Sequence, residues 1–122
     1  MAKFEGRLLK VESVDACFRK FSKDCKITFP EKIPVLYNFG EDIVGIASIE
    51  RDDQGLICEC DLDDGLFSEE VYPVGGLYMN VNLSCKDGVT IVNKGRLTSM
   101  SILPKGLGVH DELKIERRHK HD

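Results

Sequence analysis

Ser101 has the clearest potential for chemistry, because it lies near the end of a glycine-led stretch, 95–103, whose side chains alternate like those of a β-strand. A serine hydroxyl is a weak nucleophile until a base removes its proton. Of the three histidines, two lie in the charged C-terminal segment, which leaves His110 as the candidate base and Asp111 as the residue that could orient it. Two interpretations stay open: a serine hydrolase that uses Ser101 with His110, or a small strand residue and an ordinary loop histidine.

The alternation in this stretch also predicts how its side chains divide between the two faces of the strand. One face, which we assign to the core side, carries Leu97, Ser99, Ser101 and Leu103. The other face carries Thr98, Met100 and Ile102. A serine on a core-side face is either a small filler or a residue placed for chemistry.

The central part of the chain is acidic. Residues 31–75 contain 12 acidic side chains against two basic ones, whereas the flanking segments are each slightly basic. We expect a solvated acidic face that could contact a basic partner. Its candidate binding residues are Asp61, Asp63, Asp64, Glu69 and Glu70. The spacing within 61–65 is similar to that of a calcium loop, but the fifth-position oxygen side chain and the distal glutamate are missing. No metal ion or other cofactor is therefore predicted.

The five cysteines form no CxxC pair and have no histidines at zinc-finger spacing. Cys58 and Cys60 are two residues apart in a predicted strand, on the side that also carries Leu56 and Leu62. We interpret them as small buried apolar residues, with a metal or redox role as the alternative.

Composition also disfavours several kinds of partner. The net charge is −4, and the chain has no face rich in lysine and arginine with interleaved aromatic residues, which disfavours nucleic-acid binding. No apolar run approaches the roughly 20 residues that span a bilayer. The charged N-terminus has no hydrophobic segment of signal-peptide length. We therefore expect a cytoplasmic protein that does not bind membranes.

The pattern of elements predicts a single β-rich domain over 1–116, followed by a charged flexible tail, 117–122. Seven to eight short strands, separated by glycine, aspartate and proline turns, indicate a mainly β fold. We expect a small antiparallel β-barrel or sandwich with one or two short helices.

Three local signals stand out within this pattern. Residues 15–23 have the capping residue and apolar spacing of a short helix, and 66–71 could form a single helical turn or a loop. The strongest signal is a hairpin over 43–62, in which Gly45 indicates a bulge or a close backbone approach and Gly55 a turn.

Four short motifs resemble, in order and spacing, those of tailed-phage prohead maturation proteases. They are Pro-Val-Leu-Tyr-Asn-Phe at 34–39, Val-Gly-Ile-Ala at 44–47, Asp-Asp-Gln-Gly-Leu at 52–56 and Lys-Gly-Arg-Leu-Thr-Ser-Met-Ser-Ile at 94–102. That family typically has an apolar strand ending in histidine, an "iG.a" strand, a "d..GL" hairpin and a glycine-led strand ending in "l-S-I-g". The resemblance covers about residues 33–103.

The resemblance implies that Ser101 stands at the position of the family's nucleophile. The position of the family's histidine base holds Phe39, with Asn38 beside it, and residues 1–109 contain no histidine. The glycine that usually follows the Ser-Ile pair is Leu103 here. A phenyl ring cannot accept a proton, so the family's mechanism would fail at its first step.

These observations lead to one main hypothesis and two alternatives. The first is a phage- or prophage-encoded β-barrel protein that resembles prohead proteases but is non-catalytic, with a structural or assembly role through protein contacts. It would work in the bacterial host cytoplasm or the virion, associate with itself and contact capsid or scaffold proteins. The alternatives are a serine hydrolase or protease that uses Ser101 with His110, and a small acidic-faced protein-binding module of unrelated ancestry.

Overall fold

The computed structural model describes residues 2–14, 18–38, 40–63, 70–103 and 113–118, and these contain eight β-strands and no helix. In chain order the strands are β1 (Ala2–Lys10), β2 (Arg19–Thr28), β3 (Lys32–Tyr37), β4 (Ile43–Asp52), β5 (Gly55–Leu62), β6 (Glu70–Lys86), β7 (Val89–Leu103) and β8 (Ile115–Arg117). The mainly β fold expected from the sequence is confirmed.

Seven of these strands close into a barrel in the order β7-β3-β4-β5-β1-β8-β6, because β6 also pairs with β7 and so joins the two ends of the series. Strand β2 lies outside this ring, on β7. The barrel prediction is confirmed, but the antiparallel prediction is wrong for two pairs: β7 runs parallel to both β2 and β3. The direction of β7 is set by its tight hairpin with β6, whatever the direction of its other neighbours.

The helix predicted over 15–23 is wrong from Arg19 onward, because β2 begins there; residues 15–17 lie outside the described residues. Phe21 is in register with Val92 of β7, and both side chains are buried. An isolated helix of two turns is marginal in water. A ladder of main-chain hydrogen bonds with a buried cross-strand pair therefore outweighs the local helical pattern.

Strands β6 and β7 are longer than the short strands expected, with 17 and 15 residues, and form one long hairpin. Their turn has positive φ at both Asp87 (54°) and Gly88 (78°), which is the type I′ geometry that an Asp-Gly pair favours. The hairpin signal at these two residues is therefore confirmed. Of the helical turn or loop considered at 66–71, residues 66–69 lie outside the described residues and the last two belong to β6.

The core can be followed as a row across four neighbouring strands. Phe4 of β1 is in register with Cys60 of β5, which pairs with Ala47 of β4, which pairs with Ile33 of β3. All four side chains are buried. Residues in register on paired strands point to the same side of the sheet, so this row marks the inward face of the barrel.

The hairpin predicted over 43–62 is confirmed as β4 and β5, which are in register from Gly45 and Leu62 to the turn. A Cβ atom at Gly45 would collide with the carbonyl oxygen of Asp61, so the close backbone approach expected there is present. At the turn, Gly55 has a φ of 142° and pairs with Asp52. A side chain at either glycine would push neighbouring backbones apart.

Two arginines tie this hairpin to other strands. The Arg7 guanidinium on β1 donates two hydrogen bonds of 2.6 Å to the two carboxylate oxygens of Asp52. Arg51 donates to the carbonyl oxygens of Cys25 (2.7 Å) and Lys23 (3.1 Å) on β2. The same turn thus holds both the barrel and the outer strand in place.

Strand β8 extends into the segment for which a flexible tail was predicted. Arg117 is its last residue, and the backbone N–H of Arg118 donates to the carbonyl oxygen of Lys3 at 2.7 Å. Residues 119–122 lie outside the described residues.

Candidate functional site

Ser101 lies in the middle of the sheet, on β7 between β3 and β6. It is in register with Leu36 on one side and with Gly75 on the other. Its exposed fraction is 0%. A hydrolase nucleophile must bring its Oγ within bonding distance of a substrate carbonyl carbon, and an enclosed hydroxyl gives a substrate no approach in this conformation.

The division of β7 between two faces differs from the prediction. Met100, assigned to the outer face, is fully buried and in register with the fully buried Val35 of β3, so it lies on the core face. The cause is a bulge: Leu77 pairs with Ser99 and the next residue of β6 pairs with Leu97, which leaves Thr98 as an extra residue. A bulge shifts the alternation by one residue.

Ser99 and Ser101 therefore lie on the opposite face of β7 from Met100, and both are buried all the same. Ser99 is 6% exposed, and its Oγ has no hydrogen-bond partner. A buried hydroxyl without a partner costs free energy, because its bonds to water are lost and not replaced. The alternation of side chains in the sequence assigned both serines to the core face of β7, and this assignment is wrong.

The parallel pairing of β3 with β7 brings together two motifs that are far apart in the sequence. Leu36 is level with Ser101, and beyond the end of β3 the backbone N–H of Asn38 donates to the carbonyl oxygen of Ile102 at 3.0 Å. Asn38 has a φ of 46°, the left-handed conformation that asparagine tolerates better than most residues. The chain thus turns away from the sheet beside the strand that carries Ser101.

Two residues of the sequence-based site cannot be placed. Phe39 and His110 both lie outside the described residues, and no histidine falls within them. The distance from Ser101 to a base is therefore not part of the described geometry, and the pairing of Ser101 with His110 stays a prediction.

Of the five residues of the predicted acidic face, two have described side chains and a third, Glu70, has a described backbone. Asp61 lies on β5, with one carboxylate oxygen 3.9 Å from Lys3 Nζ. Asp63 follows that strand and is exposed. Asp64 and Glu69 lie outside the described residues, and Glu70 opens β6 with its backbone paired to Glu116.

A second acidic surface, which sequence reasoning missed, lies on the outside of β1, β5 and β4. Glu5 and Glu59 are directly opposite each other in the β1–β5 ladder. With Glu50 and Ser48 of β4 they line a groove of about 390 Å³, which we call the glutamate groove. Arg118 lies 4.0 Å from Glu5 and 3.7 Å from Glu59, and Lys3 Nζ lies 3.4 Å from Glu59. These two cations offset part of the repulsion between the glutamates.

The signal for this groove in the sequence was incomplete. Alternation alone puts Glu59 on the outward face of its strand, and likewise Ser48 and Glu50 on theirs. Nothing local, however, says that β1 pairs with β5 and places Glu5 beside them. The groove depends on the register between strands that are about 50 residues apart in the chain.

Cys58 and Cys60 of β5 are buried, as expected, together with Leu56 and Leu62. The Sγ atoms of Cys58 and Cys60 are 3.7 Å apart, joined by a hydrogen bond from Cys60 to Cys58 and not by a disulfide. The hydrogen bond with Cys60, together with burial, raises the pKa of the Cys58 thiol. A raised thiol pKa lowers the fraction of reactive thiolate, which agrees with a packing role.

Within the ranges given above, no group of three or more histidine, cysteine, aspartate or glutamate side chains could hold a metal ion. The same ranges contain no helix with the length and apolar character needed to cross a membrane.

Comparison with family models, with curated proteins and with solved structures gives no match to this chain.

Proposed function

We propose that this protein is a phage- or prophage-encoded β-barrel protein, similar to prohead proteases but without protease chemistry, that acts in virion assembly through protein contacts. The observation that carries the proposal is the parallel pairing of β3 with β7. It sets the end of β3, where the resemblance implies a base, beside the strand that carries Ser101. Two motifs that must meet in a protease site are neighbours in this barrel, yet the sequence there is Asn38-Phe39.

Burial of Ser101 supports the non-catalytic part of the proposal. The resemblance implies the position of a nucleophile, but the hydroxyl is enclosed. Asparagine and phenylalanine do not take up a proton near neutral pH, so neither can activate it. We infer that Ser101 is kept for packing between β3 and β6.

Labelling with a fluorophosphonate probe tests this directly, because the probe reacts with activated serines. We expect no labelling of the native protein, while a known serine hydrolase in the same tube is labelled. Labelling that disappears in Ser101→Ala but persists in Ser48→Ala, an exposed serine on β4, would refute the non-catalytic proposal. Loss of the same labelling in His110→Ala would then favour the hydrolase alternative.

The assembly role is tested separately. We expect portal, scaffold or capsid genes on either side of the gene for this protein. We also expect the protein to sediment with proheads when it is expressed together with the capsid and scaffold proteins. Neighbouring genes of unrelated metabolism, together with absence from the prohead fraction, would contradict an assembly role.

The glutamate groove favours a second candidate function, binding of a basic protein segment. Three carboxylates line the groove, and Arg118 and Lys3 offset only part of their negative charge. The remainder attracts lysine and arginine side chains, and such attraction weakens as salt rises. A fluorescent lysine-rich peptide is a suitable probe. We expect the Kd of this peptide to rise about tenfold or more in the triple variant Glu5→Gln/Glu50→Gln/Glu59→Gln. The control is Glu31→Gln/Glu41→Gln, which removes exposed carboxylates outside the groove and should leave the Kd unchanged. Binding that is insensitive to both salt and the triple variant would exclude this function.

A further inference from the structure

Part of β6 has an edge beside which the described residues place no strand. Over residues 77–86, β6 is in register with β7 on one side, while β8 pairs only with Glu70 and Val71 at the start of the strand. Among the described residues, no strand is paired with the other edge of this segment. We call residues 77–86 the β6 edge. An unpaired edge offers main-chain N–H and C=O groups to another strand.

The side chains of the β6 edge are unusual for an unprotected edge. Four large apolar residues are between 46% and 57% exposed: Leu77, Met79, Val81 and Leu83. From 77 to 85 there is no charged residue and no proline. Edges that stay solitary normally carry charges or proline, which hinder pairing with another chain.

The opposite edge of the same sheet shows this protection. Strand β2 is the outer neighbour of β7, and it carries the charged residues Lys20, Lys23, Asp24 and Lys26. Its pairing with β7 is also irregular between Phe21 and Lys26. One edge of the three-stranded sheet β2-β7-β6 is thus blunted by charge and irregularity, whereas the other carries no charge from Leu77 to Cys85 and exposes four apolar side chains.

We propose that the β6 edge pairs antiparallel with the β6 edge of a second copy of this chain. This inference rests on the proposed assembly role, since it names the surface through which the protein associates with itself. A strand edge is complementary to itself about a two-fold axis, as an isologous dimer requires. The molecule carries a net charge of −4, so a neutral edge is where two copies meet with least repulsion.

The geometry also says which part of the edge pairs and how strongly. Two irregularities interrupt the β6–β7 ladder here. One is an extra residue of β6 between Met79 and Asn82, where Asn80 has a φ of 54°, and the other is an extra residue of β7, Asn93, opposite the step from Asn82 to Leu83. A bulge disrupts a ladder locally, so the pairing falls mainly on residues 81–86. Leu83 of β6 is in register with Val92 of β7, which is in register with Phe21 of β2. Pairing with a second copy would join these three strands to their three equivalents in one six-stranded sheet. So short a contact gives a weak dimer, populated only at high concentration.

Sedimentation velocity across an about hundredfold range of protein concentration tests the proposal. We expect a monomer–dimer equilibrium whose Kd rises at least about tenfold in Leu83→Lys. The matched control is Ile46→Lys, which places the same charge on a similarly exposed apolar residue of β4, and its Kd should equal that of the native protein. Circular dichroism verifies that both variants fold.

Hydrogen exchange of the native protein gives a test that needs no substitution. Amides of residues 81–86 should exchange more slowly as the concentration rises, while those of β2 stay unchanged. A strict monomer at the highest concentration would overturn both this inference and self-association. A dimer with unchanged exchange at 81–86 and no response to Leu83→Lys would overturn the surface alone. The prohead sedimentation described above tests the assembly role independently of either result.

Discussion

Replacing Asp52 with asparagine removes the charge from the turn that joins the β4–β5 hairpin to β1. In the native protein both carboxylate oxygens accept hydrogen bonds of 2.6 Å from Arg7, and one also accepts from the backbone N–H of Gln54 at 3.0 Å. These bonds, with Arg7 as the main cause, lower the pKa of Asp52 from 3.8 to about 2. Asp52→Asn keeps the shape of the side chain and loses this charge-assisted pairing.

The size of the effect follows from the pKa. A carboxyl whose pKa falls to about 2 on folding would, without screening, add about 2 kcal/mol to the free energy of unfolding at neutral pH. The Asp52 side chain is 36% exposed, and solvent screens a pair at that exposure, so we expect about 1 kcal/mol. For a domain of this size that is a fall in Tm of roughly 3–6 °C.

The sign of the pH dependence is specific. Because the folded-state pKa is lowered, the stabilisation is fully present above the ordinary pKa of 3.8 and is lost as the pH falls through about 2. Urea unfolding of the native protein and of Asp52→Asn should therefore differ by about 1 kcal/mol at pH 7 and converge between pH 4 and pH 2.

The control is Asp53→Asn, an exposed carboxylate in the same turn with no ion pair among the described residues. We expect its free energy of unfolding to lie within about 0.5 kcal/mol of the native value at pH 7. If Asp52→Asn were as stable as the native protein at pH 7, or if its deficit persisted unchanged at pH 2, the pairing with Arg7 would not be the source of stability.

Three further substitutions test the packing of the barrel. Gly45→Ala should lower the free energy of unfolding by roughly 2–4 kcal/mol, because the added Cβ meets the β5 backbone. Ser48→Ala on the same strand should change it little, and equal unfolding midpoints for the two variants would contradict the close approach. Met100→Ala should lower the free energy of unfolding by about 2–5 kcal/mol and Met79→Ala by under about 1 kcal/mol, because only Met100 is buried. If chemical denaturation showed similar losses for both, Met100 would not lie on the core face of β7. Ser99→Ala should raise the free energy of unfolding by about 1 kcal/mol, since it removes a buried hydroxyl without a partner, and a loss instead would mean that the hydroxyl is satisfied.

Chemistry local to the chain determined much of the fold. Alternation of apolar and polar residues predicted the strands of the 43–62 hairpin, and the need for a missing side chain or a positive φ predicted the roles of Gly45 and Gly55. The Asp87-Gly88 pair likewise specified its turn. Each of these features is decided by residues within a few positions of one another, so a single sequence is enough.

Pairing between strands that are far apart in the sequence decided the remaining features of the fold. Residues 15–23 have a helical apolar spacing, but from Arg19 onward they form a strand because β7 lies alongside and offers a ladder and a buried partner for Phe21. The glutamate groove exists because β1 pairs with β5 in one register and not another. No window of the sequence contains either partner strand, and a shift of one residue would send every side chain to the other face.

The site around Ser101 combines both kinds of information. Sequence alone determined that a serine stands near the end of a glycine-led strand and that residues 1–109 contain no histidine. Only the tertiary structure decided that a bulge at Thr98 turns Ser101 away from the core face, that the hydroxyl is nevertheless enclosed, and that β3 ends beside it. The physical reason is that a bulge and a parallel neighbour are properties of the pairing between strands, and composition and periodicity describe one strand at a time.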